Sequence, residues 1–144
     1  MLKSVSLQNF RNYKKSSFKI DKSIVIIGPN AVGKSNLIES IYLLSTGKSF
    51  RAEKDSQMVE FGKELGRISA LSDETKLEVT VTVGEVAGIK TQFKRFFVNG
   101  VPKRRVDFVG NLIGVLFSPQ DLEVIVLSPS LRREFLDNVL EQTD

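Results

Sequence analysis

The residues best suited to chemistry form one run, Gly28, Pro29, Asn30, Ala31, Val32, Gly33, Lys34 and Ser35. The run fits the phosphate-binding loop (P-loop) pattern, in which a glycine is followed after four residues by Gly-Lys-Ser or Gly-Lys-Thr. Its glycines permit backbone torsions that let successive amides converge on phosphate oxygens. In this pattern Lys34 lies between the β- and γ-phosphates and Ser35 offers its hydroxyl to Mg²⁺. We therefore predict a nucleotide site at residues 28–35.

The absence of two residue types excludes several other chemistries. The 144 residues include neither cysteine nor histidine, which excludes disulfides, Cys/His zinc sites and catalysis by a Ser-His-Asp or Cys-His arrangement. No apolar run approaches the roughly 20 residues that span a bilayer. The N-terminus lacks the apolar stretch of a signal peptide, so we expect a cytoplasmic protein without a membrane partner.

Positive charge is concentrated in two blocks of the chain. The net charge is +4, from 21 Lys and Arg against 17 Asp and Glu. Residues 1–51 hold nine of the cations with two acids, and residues 90–105 hold six with none. The second block interleaves its cations with Phe93, Phe96 and Phe97, and it ends in the three cations of residues 103–105. This pattern indicates a polyanion partner or a solvated basic surface, and charge alone does not separate the two.

The P-loop lies in the strand–loop–helix context that such loops require. Residues 23–27 form a β-branched run typical of a strand buried on both faces, and residues 34–45 have the apolar spacing of a helix. Further strands are predicted at 2–9, 16–20, 67–72, 77–84, 89–98 and 113–117. Asn99-Gly100 predicts a hairpin turn, residues 102–109 a short helix, and Ser128-Pro129 the start of a last helix. The expected fold class is α/β, with an antiparallel region inserted after the first helix.

Four blocks in a fixed order resemble the N-terminal ATPase head of SMC-type and RecF-type DNA repair proteins, relatives of the ABC ATPases. The first two are Asn9-Phe10-Arg11-Asn12 and the P-loop continued by Asn36-Leu37-Ile38-Glu39-Ser40-Ile41-Tyr42. The others are Gly47-Lys48-Ser49-Phe50-Arg51 and Phe117-Ser118-Pro119-Gln120-Asp121-Leu122, the latter followed by Arg132-Arg133-Glu134-Phe135-Leu136-Asp137. The third and fourth blocks point to RecF-type proteins specifically.

The resemblance implies a P-loop NTPase of the ABC/SMC head type, an incomplete first lobe with a mixed core sheet and an antiparallel β region. It implies ATP and Mg²⁺ as ligands and an ATP-dependent homodimer that holds DNA at gaps or stalled forks. The mediators RecO and RecR, the loading of RecA and the SOS response are implied as well. It adds Arg11 as a phosphate contact and Gln120 as a candidate Q-loop residue near Mg²⁺.

Two motifs of the complete head are not found in the sequence. No apolar strand ends in a Walker B carboxylate, and Leu44-Ser45-Thr46-Gly47-Lys48 echoes the signature motif only at the wrong end of a helix. We therefore expect residues 1–144 to be an N-terminal ATP-binding lobe of a longer chain, without significant hydrolysis of its own. The alternatives are a head of another SMC-like or nuclease-linked P-loop ATPase, a kinase or GTPase, and a binding module. A GTPase is disfavoured because no Asn-Lys-x-Asp guanine motif is present.

Overall fold

The computed structural model describes residues 1–117 and seven helical residues near the C-terminus. Those seven are Pro129, Ser130, Arg132, Arg133, Leu136, Asp137 and Leu140. The larger part is built on a six-stranded antiparallel sheet. Its strands are β1 (Leu2–Phe10), β2 (Tyr13–Lys19), β3 (Leu65–Ser72), β4 (Thr75–Thr82), β7 (Lys94–Val98) and β8 (Val101–Lys103). Their order in the sheet is β2-β1-β3-β4-β7-β8. A separate small hairpin joins β5 (Glu85–Val86) to β6 (Ile89–Lys90).

Alternating side chains give the large sheet one apolar face and one polar face. In β4, Leu77, Val79 and Val81 are each 0% exposed and belong to the core. Their neighbours along the strand point to the opposite face because successive strand residues alternate. Val5 and Leu7 of β1 join the same core from two strands away. The predicted alternation is therefore confirmed from residue 77 to residue 81. It does not extend to 84, because β4 ends at Thr82 and Val83 is 42% exposed, and Thr80 and Thr82 on the opposite face are buried.

The hairpins form where turn residues allow unusual torsions. Asn99 and Gly100 have φ angles of 51° and 79° between β7 and β8, the left-handed torsions that an Asn-Gly hairpin requires. Asp73 has a φ of 51° in the turn between β3 and β4. The predicted Asn-Gly hairpin is confirmed. The predicted strand at 89–98 is instead divided between β6 and β7.

One helix covers the apolar face of the sheet, and short helical turns pack beside it. Helix α1 (Lys34–Thr46) buries Leu37, Leu43 and Leu44 in the core and ends at Gly47, whose φ is 70°. A 3₁₀ turn (Asp55–Met58) and helix α2 (Arg105–Phe108) follow later in the chain. The helices predicted at 34–45 and 102–109 are both present, the second in shorter form. No described helix is long and apolar enough to cross a membrane.

Two segments predicted as strands have no regular secondary structure and pair with no strand among the described residues. Residues 23–27 carry no strand assignment, and Val25 and Ile27 are each 86% exposed. Residues 113–117 are likewise unpaired, with Val115 at 87% exposure. The expectation that 23–27 is buried on both faces is therefore wrong for this structure. A continuous apolar run satisfies its backbone and side chains only when neighbouring strands are present, and the described residues provide none there.

Candidate functional site

The P-loop lies at the N-terminus of α1 with its backbone open on one side. Ala31 has a φ of 63° and Gly33 a φ of 112°, so left-handed torsions recur along the loop. Such torsions turn successive amides toward one concave side, which binds anions. No backbone carbonyl among the described residues accepts from the amides of residues 32–35. These amides, together with the positive end of the dipole of α1, form a cradle for phosphate.

The two side chains predicted to act on the nucleotide lie at this loop. The Lys34 ammonium donates to the carbonyl oxygens of Gly28 and Pro29, at 2.7 Å each. Its charge is therefore held against neutral acceptors, and a phosphate can compete for it without breaking an ion pair. Ser35 is exposed in the first turn of α1. An accessible hydroxyl at this position fits an Mg²⁺ ion, which prefers oxygen ligands.

The turn between β1 and β2 packs against the back of the P-loop. Gly33 is buried there, and a Cβ built on it would lie 2.7 Å from Asn12 Oδ1 and 2.9 Å from Tyr13 Cζ. This contact leaves no space for a side chain at position 33, and the φ of 112° disfavours one independently. Glycine at this position of the motif therefore has a local physical reason in this fold.

Arg11 follows β1 with a φ of 54°, and its guanidinium lies on a buried carboxylate. Its Nε and Nη2 donate to Glu39 of α1 at 2.9 and 2.6 Å, and Nη1 donates to Gln57 O at 2.8 Å. Glu39 is 0% exposed and also accepts from Ser49 Oγ at 2.5 Å. The role of Arg11 as a phosphate contact remains a prediction. The structure shows a guanidinium that links the start of the chain to α1.

The sequence places Glu39, Asn12 and Asn36 within the family's blocks but gives none of them an individual role. Arg51 Nη1 donates to Asn36 Oδ1 at 2.9 Å, and Asn36 Nδ2 donates to Asn12 Oδ1 at 2.8 Å. A signal for Glu39 was available, because it lies four residues before Leu43 and so shares its buried face of α1. No comparable periodic signal exists for Asn12, which is exposed in a turn.

The polar face of the sheet carries a row of cations in register. Gln8 lies opposite Lys15 on one side and Arg67 on the other, and Thr80 lies between Arg67 and Arg95. Because directly opposed residues point to the same face, the three cations lie in one line across five strands. At the usual strand separation the line is about 19 Å long.

Other charges on this face add to its positive potential. In the six-stranded sheet, which lies wholly within the described residues, Glu78 is the single carboxylate of the face and lies in the row next to these cations. Lys19 and Lys76 lie one row further on. Glu78 lies 3.4 Å from Arg67 and 3.9 Å from Lys76. A cleft of about 410 Å³ opens here, and Arg67, Lys76 and Arg95 contribute to its lining.

The basic block at 103–105 lies at the open edge of the sheet. A second cleft of about 640 Å³ is lined there by Lys94, Arg95 and the three cations of 103–105, among others. Several of these cations already have partners. Lys94 Nζ lies 2.8 Å from Asp55 Oδ1, and Arg104 holds Asp107 in an ion pair that lowers the pKa of that carboxyl. The outer face therefore presents a more regular array of cations than the edge does.

One predicted site residue and one predicted helix start lie outside the described residues. Gln120, the candidate Q-loop residue, belongs to the undescribed stretch 118–128, as does Ser128. Arg132 and Arg133 are described as helical and exposed. Their helical state agrees with the helix predicted to begin at Ser128-Pro129.

Comparison with known proteins identifies the family. The sequence model of the AAA ATPase domain matches residues 1–104. The DNA replication and repair protein RecF of Clostridioides difficile is 38% identical over 98% of this chain, and that of Lachnospira eligens is 38% identical over 100% of this chain. The chain spans 38% and 39% of these two relatives, and it matches their N-terminal part.

Solved structures show the same relationship. Two structures of the recombination mediator protein RecF in the RecFOR pathway, RecF-ATPrS and RecF-ATP, superpose with TM-scores of 0.87 and 0.85 at 37% identity. Each match covers all of this chain and about two fifths of the RecF chain in that structure. The SMC head domain from Thermotoga maritima, at 19% identity and a TM-score of 0.52, shares the fold. The predicted head-type P-loop fold is confirmed, and the chain belongs to the AAA ATPase domain family, with a sequence of the RecF type.

Proposed function

We propose that residues 28–35 bind the triphosphate of ATP with Mg²⁺. The observation that carries this proposal is the set of backbone amides at 32–35, which have no backbone acceptor among the described residues and precede α1. Lys34 leaves two neutral carbonyls to bind the β- and γ-phosphates, and Ser35 binds the metal. Relatives solved as RecF-ATP, at 37% identity, support ATP as the nucleotide. Arg11 and Gln120 stay candidate contacts, to the phosphates and to Mg²⁺ respectively.

The 144 residues act in this proposal as the ATP-binding lobe of a longer head. Phosphoryl transfer requires a positioned water, metal ligands and charge clamps together. The described residues offer the loop, Lys34 and Ser35 for this work. Hydrolysis therefore belongs to a complete dimer in which two heads enclose the nucleotides, and we expect no significant turnover by residues 1–144. A head of another SMC-like or nuclease-linked ATPase remains the alternative.

Calorimetry of ATP and GTP with the wild-type protein and Lys34→Ala tests the nucleotide proposal. ATP is expected to bind in the presence of Mg²⁺, and removal of the ammonium is expected to weaken it at least about tenfold, because a charge-assisted contact to phosphate is lost. A preference for GTP would contradict the assignment to ATP. Equal ATP affinity of wild type and Lys34→Ala would remove the loop from the mechanism.

We propose in addition that the outer face of the sheet binds the phosphate backbone of DNA. The in-register row Lys15, Arg67 and Arg95 carries this second proposal. A line of about 19 Å matches about six base-pair steps of a strand at 3.4 Å each. The relatives are named for DNA replication and repair, which agrees with a nucleic-acid ligand. For the whole protein, the proposal also includes recognition of DNA gaps or stalled forks, partnership with RecO and RecR, and loading of RecA. It further includes a role in the SOS response and a cytoplasmic location.

The salt dependence of duplex binding tests this surface. Each of Arg67→Ala and Arg95→Ala is expected to lower the slope of log K against log[salt] by about 1, because one phosphate contact fewer releases fewer counterions. Lys54→Ala, an exposed lysine outside the sheet, is the charge-matched control and leaves the slope unchanged. A slope that falls only in Lys103→Ala would instead place the contact at the edge cleft. Wild-type slopes in Arg67→Ala, Arg95→Ala and Lys103→Ala would overturn DNA binding by either surface.

A further inference from the structure

Asn12 and Tyr13 contact three successive carbonyl groups of the P-loop. Asn12 Nδ2 donates to Val32 O at 3.0 Å and reaches Ala31 O at 3.5 Å. The Tyr13 hydroxyl donates to Gly33 O at 3.1 Å. Asn12 lies in the turn between β1 and β2 and Tyr13 is the first residue of β2, and both lie on the buried side of Gly33. The carbonyl oxygens of residues 31 and 32 are thus held from one direction. The Gly33 carbonyl also accepts from the backbone amides of Asn36 and Leu37 in α1, at 2.9 and 3.0 Å, so Tyr13 is its third donor.

Holding a carbonyl also orients the next amide. In a planar trans peptide unit the C=O of one residue and the N–H of the next point in opposite directions. When the carbonyls of residues 31 and 32 point toward the β1–β2 turn, the amides of residues 32 and 33 point away from it. These are amides of the proposed phosphate cradle, and no backbone acceptor among the described residues uses them.

The orientation of the Asn12 amide is fixed at both ends of a hydrogen-bond chain. A guanidinium only donates, so Arg51 requires the oxygen of Asn36, which then presents its Nδ2 to Asn12 Oδ1. At the other end, the Val32 carbonyl only accepts, so it requires the Asn12 NH₂ group. Each group in this hydrogen-bond chain therefore has a fixed role as donor or acceptor. Asn12 cannot reverse its amide without losing its hydrogen bonds to both Asn36 and Val32.

We propose that Asn12 is a positioning residue for the nucleotide: it holds the Val32 carbonyl outward and thereby aims the P-loop amides at the phosphates. The inference rests on the proposed function of residues 28–35 as the triphosphate site. Asn12 itself lies behind the loop and does not touch the ligand. Tyr13 supports Asn12 by adding a side-chain donor to the Gly33 carbonyl, which the amides of α1 also hold. Burial raises the pKa of the Tyr13 phenol, which keeps its proton available to the Gly33 carbonyl near neutral pH.

Calorimetry of ATP and inorganic tripolyphosphate with the complete protein tests the inference. Tripolyphosphate lacks the base and sugar, so it reports the phosphate cradle alone. Asn12→Ala is expected to weaken both ligands by the same factor, about fivefold, the value of one neutral hydrogen bond. The Tm is expected to change by no more than about 3 °C, because Asn12 is exposed and buries no apolar surface. Gln8→Ala, an exposed amide in β1, is the matched control and leaves both affinities unchanged.

Tyr13→Phe tests the positioning role with a second side chain. It removes only the hydroxyl and keeps the edge-on contact of the ring with Phe18, 5.6 Å between centroids, so folding is preserved. We expect both ligands to bind about threefold more weakly than to wild type. Should Asn12→Ala fail to fold, Tyr13→Phe decides the question, and an unchanged affinity there overturns the inference.

The outcomes separate this inference from the proposed function. If Lys34→Ala loses binding while Asn12→Ala and Tyr13→Phe retain wild-type affinity, the P-loop binds the nucleotide without help from the turn. Weakening of ATP without weakening of tripolyphosphate would likewise overturn the positioning role. If Lys34→Ala binds both ligands as wild type does, the proposed function itself fails.

Discussion

Glu39 shows what a single residue does in this molecule. Its carboxylate is fully buried, and it accepts two hydrogen bonds from Arg11 and one from Ser49. A buried carboxylate is tolerated only when it is paired and hydrogen-bonded, and these three donors meet that condition. The pair connects the segment after β1 to the middle of α1. Individual polar residues therefore fix how the start of the chain meets the helix that carries the P-loop.

Glu39→Gln is expected to lower the free energy of unfolding by about 3 kcal/mol. The substitution places an NH₂ group against the Arg11 donors and leaves a guanidinium that is 19% exposed without its charge partner. Urea denaturation at neutral pH measures the loss. Glu78→Gln is the control, because that carboxylate lies on the outer face and its ion pairs are long, 3.4 and 3.9 Å, so a change below about 1 kcal/mol is expected. Equal losses in the two variants would contradict the account.

At the scale of elements, the loop between residue 28 and α1 depends on the β1–β2 turn behind it. Gly33→Ala is expected to destabilise the protein by about 2 kcal/mol and to weaken ATP binding. The new Cβ would meet Asn12 at 2.7 Å, and the φ of 112° is unfavourable for alanine. Thermal denaturation and calorimetry measure the two effects.

Gly100→Ala is the matched control for that loop variant. Gly100 also has a positive φ, 79°, but a Cβ there meets nothing within 4 Å. A stability loss of about 1 kcal/mol with unchanged ATP affinity is expected. If Gly33→Ala behaves in the same way as Gly100→Ala, close packing against the turn does not shape the loop.

The elements that the sequence predicts correctly are those specified by local signals. Strand β4 alternates along its length, Asn99-Gly100 accepts left-handed torsions, and α1 follows a Gly-rich loop and ends at a glycine. The segments at 23–27 and 113–117 have the composition of buried strands but lack paired neighbours among the described residues. Strand formation depends on partners distant in sequence, so composition alone does not decide it. The Arg11–Glu39 pair escapes sequence reasoning for the same reason, since its members lie 28 residues apart.

At the scale of the whole molecule, two apolar segments lie open to solvent. Val25, Ile27, Val115 and Phe117 are each at least 76% exposed, in segments that pair with no strand among the described residues. Exposed apolar segments that lack a strand partner are sites of association. The polypeptide of residues 1–144 by itself is therefore expected to self-associate as its concentration rises.

A double substitution, Val25→Thr with Ile27→Thr, is expected to reduce this self-association, which light scattering measures. The control is Val101→Thr with Val106→Thr, at two residues that are 55% and 70% exposed but lie in β8 and α2. The control pair is expected to leave association unchanged. Equal effects of the two pairs would show that general surface hydrophobicity, and not the unpaired segment, drives the association.

The most direct measurement of the central claim is a structure of the protein with ATP and Mg²⁺ bound. We expect the amide nitrogens of residues 32–35 within about 3 Å of phosphate oxygens, the usual hydrogen-bond distance. The Lys34 ammonium is expected to leave the carbonyls of Gly28 and Pro29 and to contact the phosphates, with Ser35 on the metal. A nucleotide bound elsewhere, or a Lys34 that stays on those two carbonyls while the phosphates lie outside the loop, would contradict the claim.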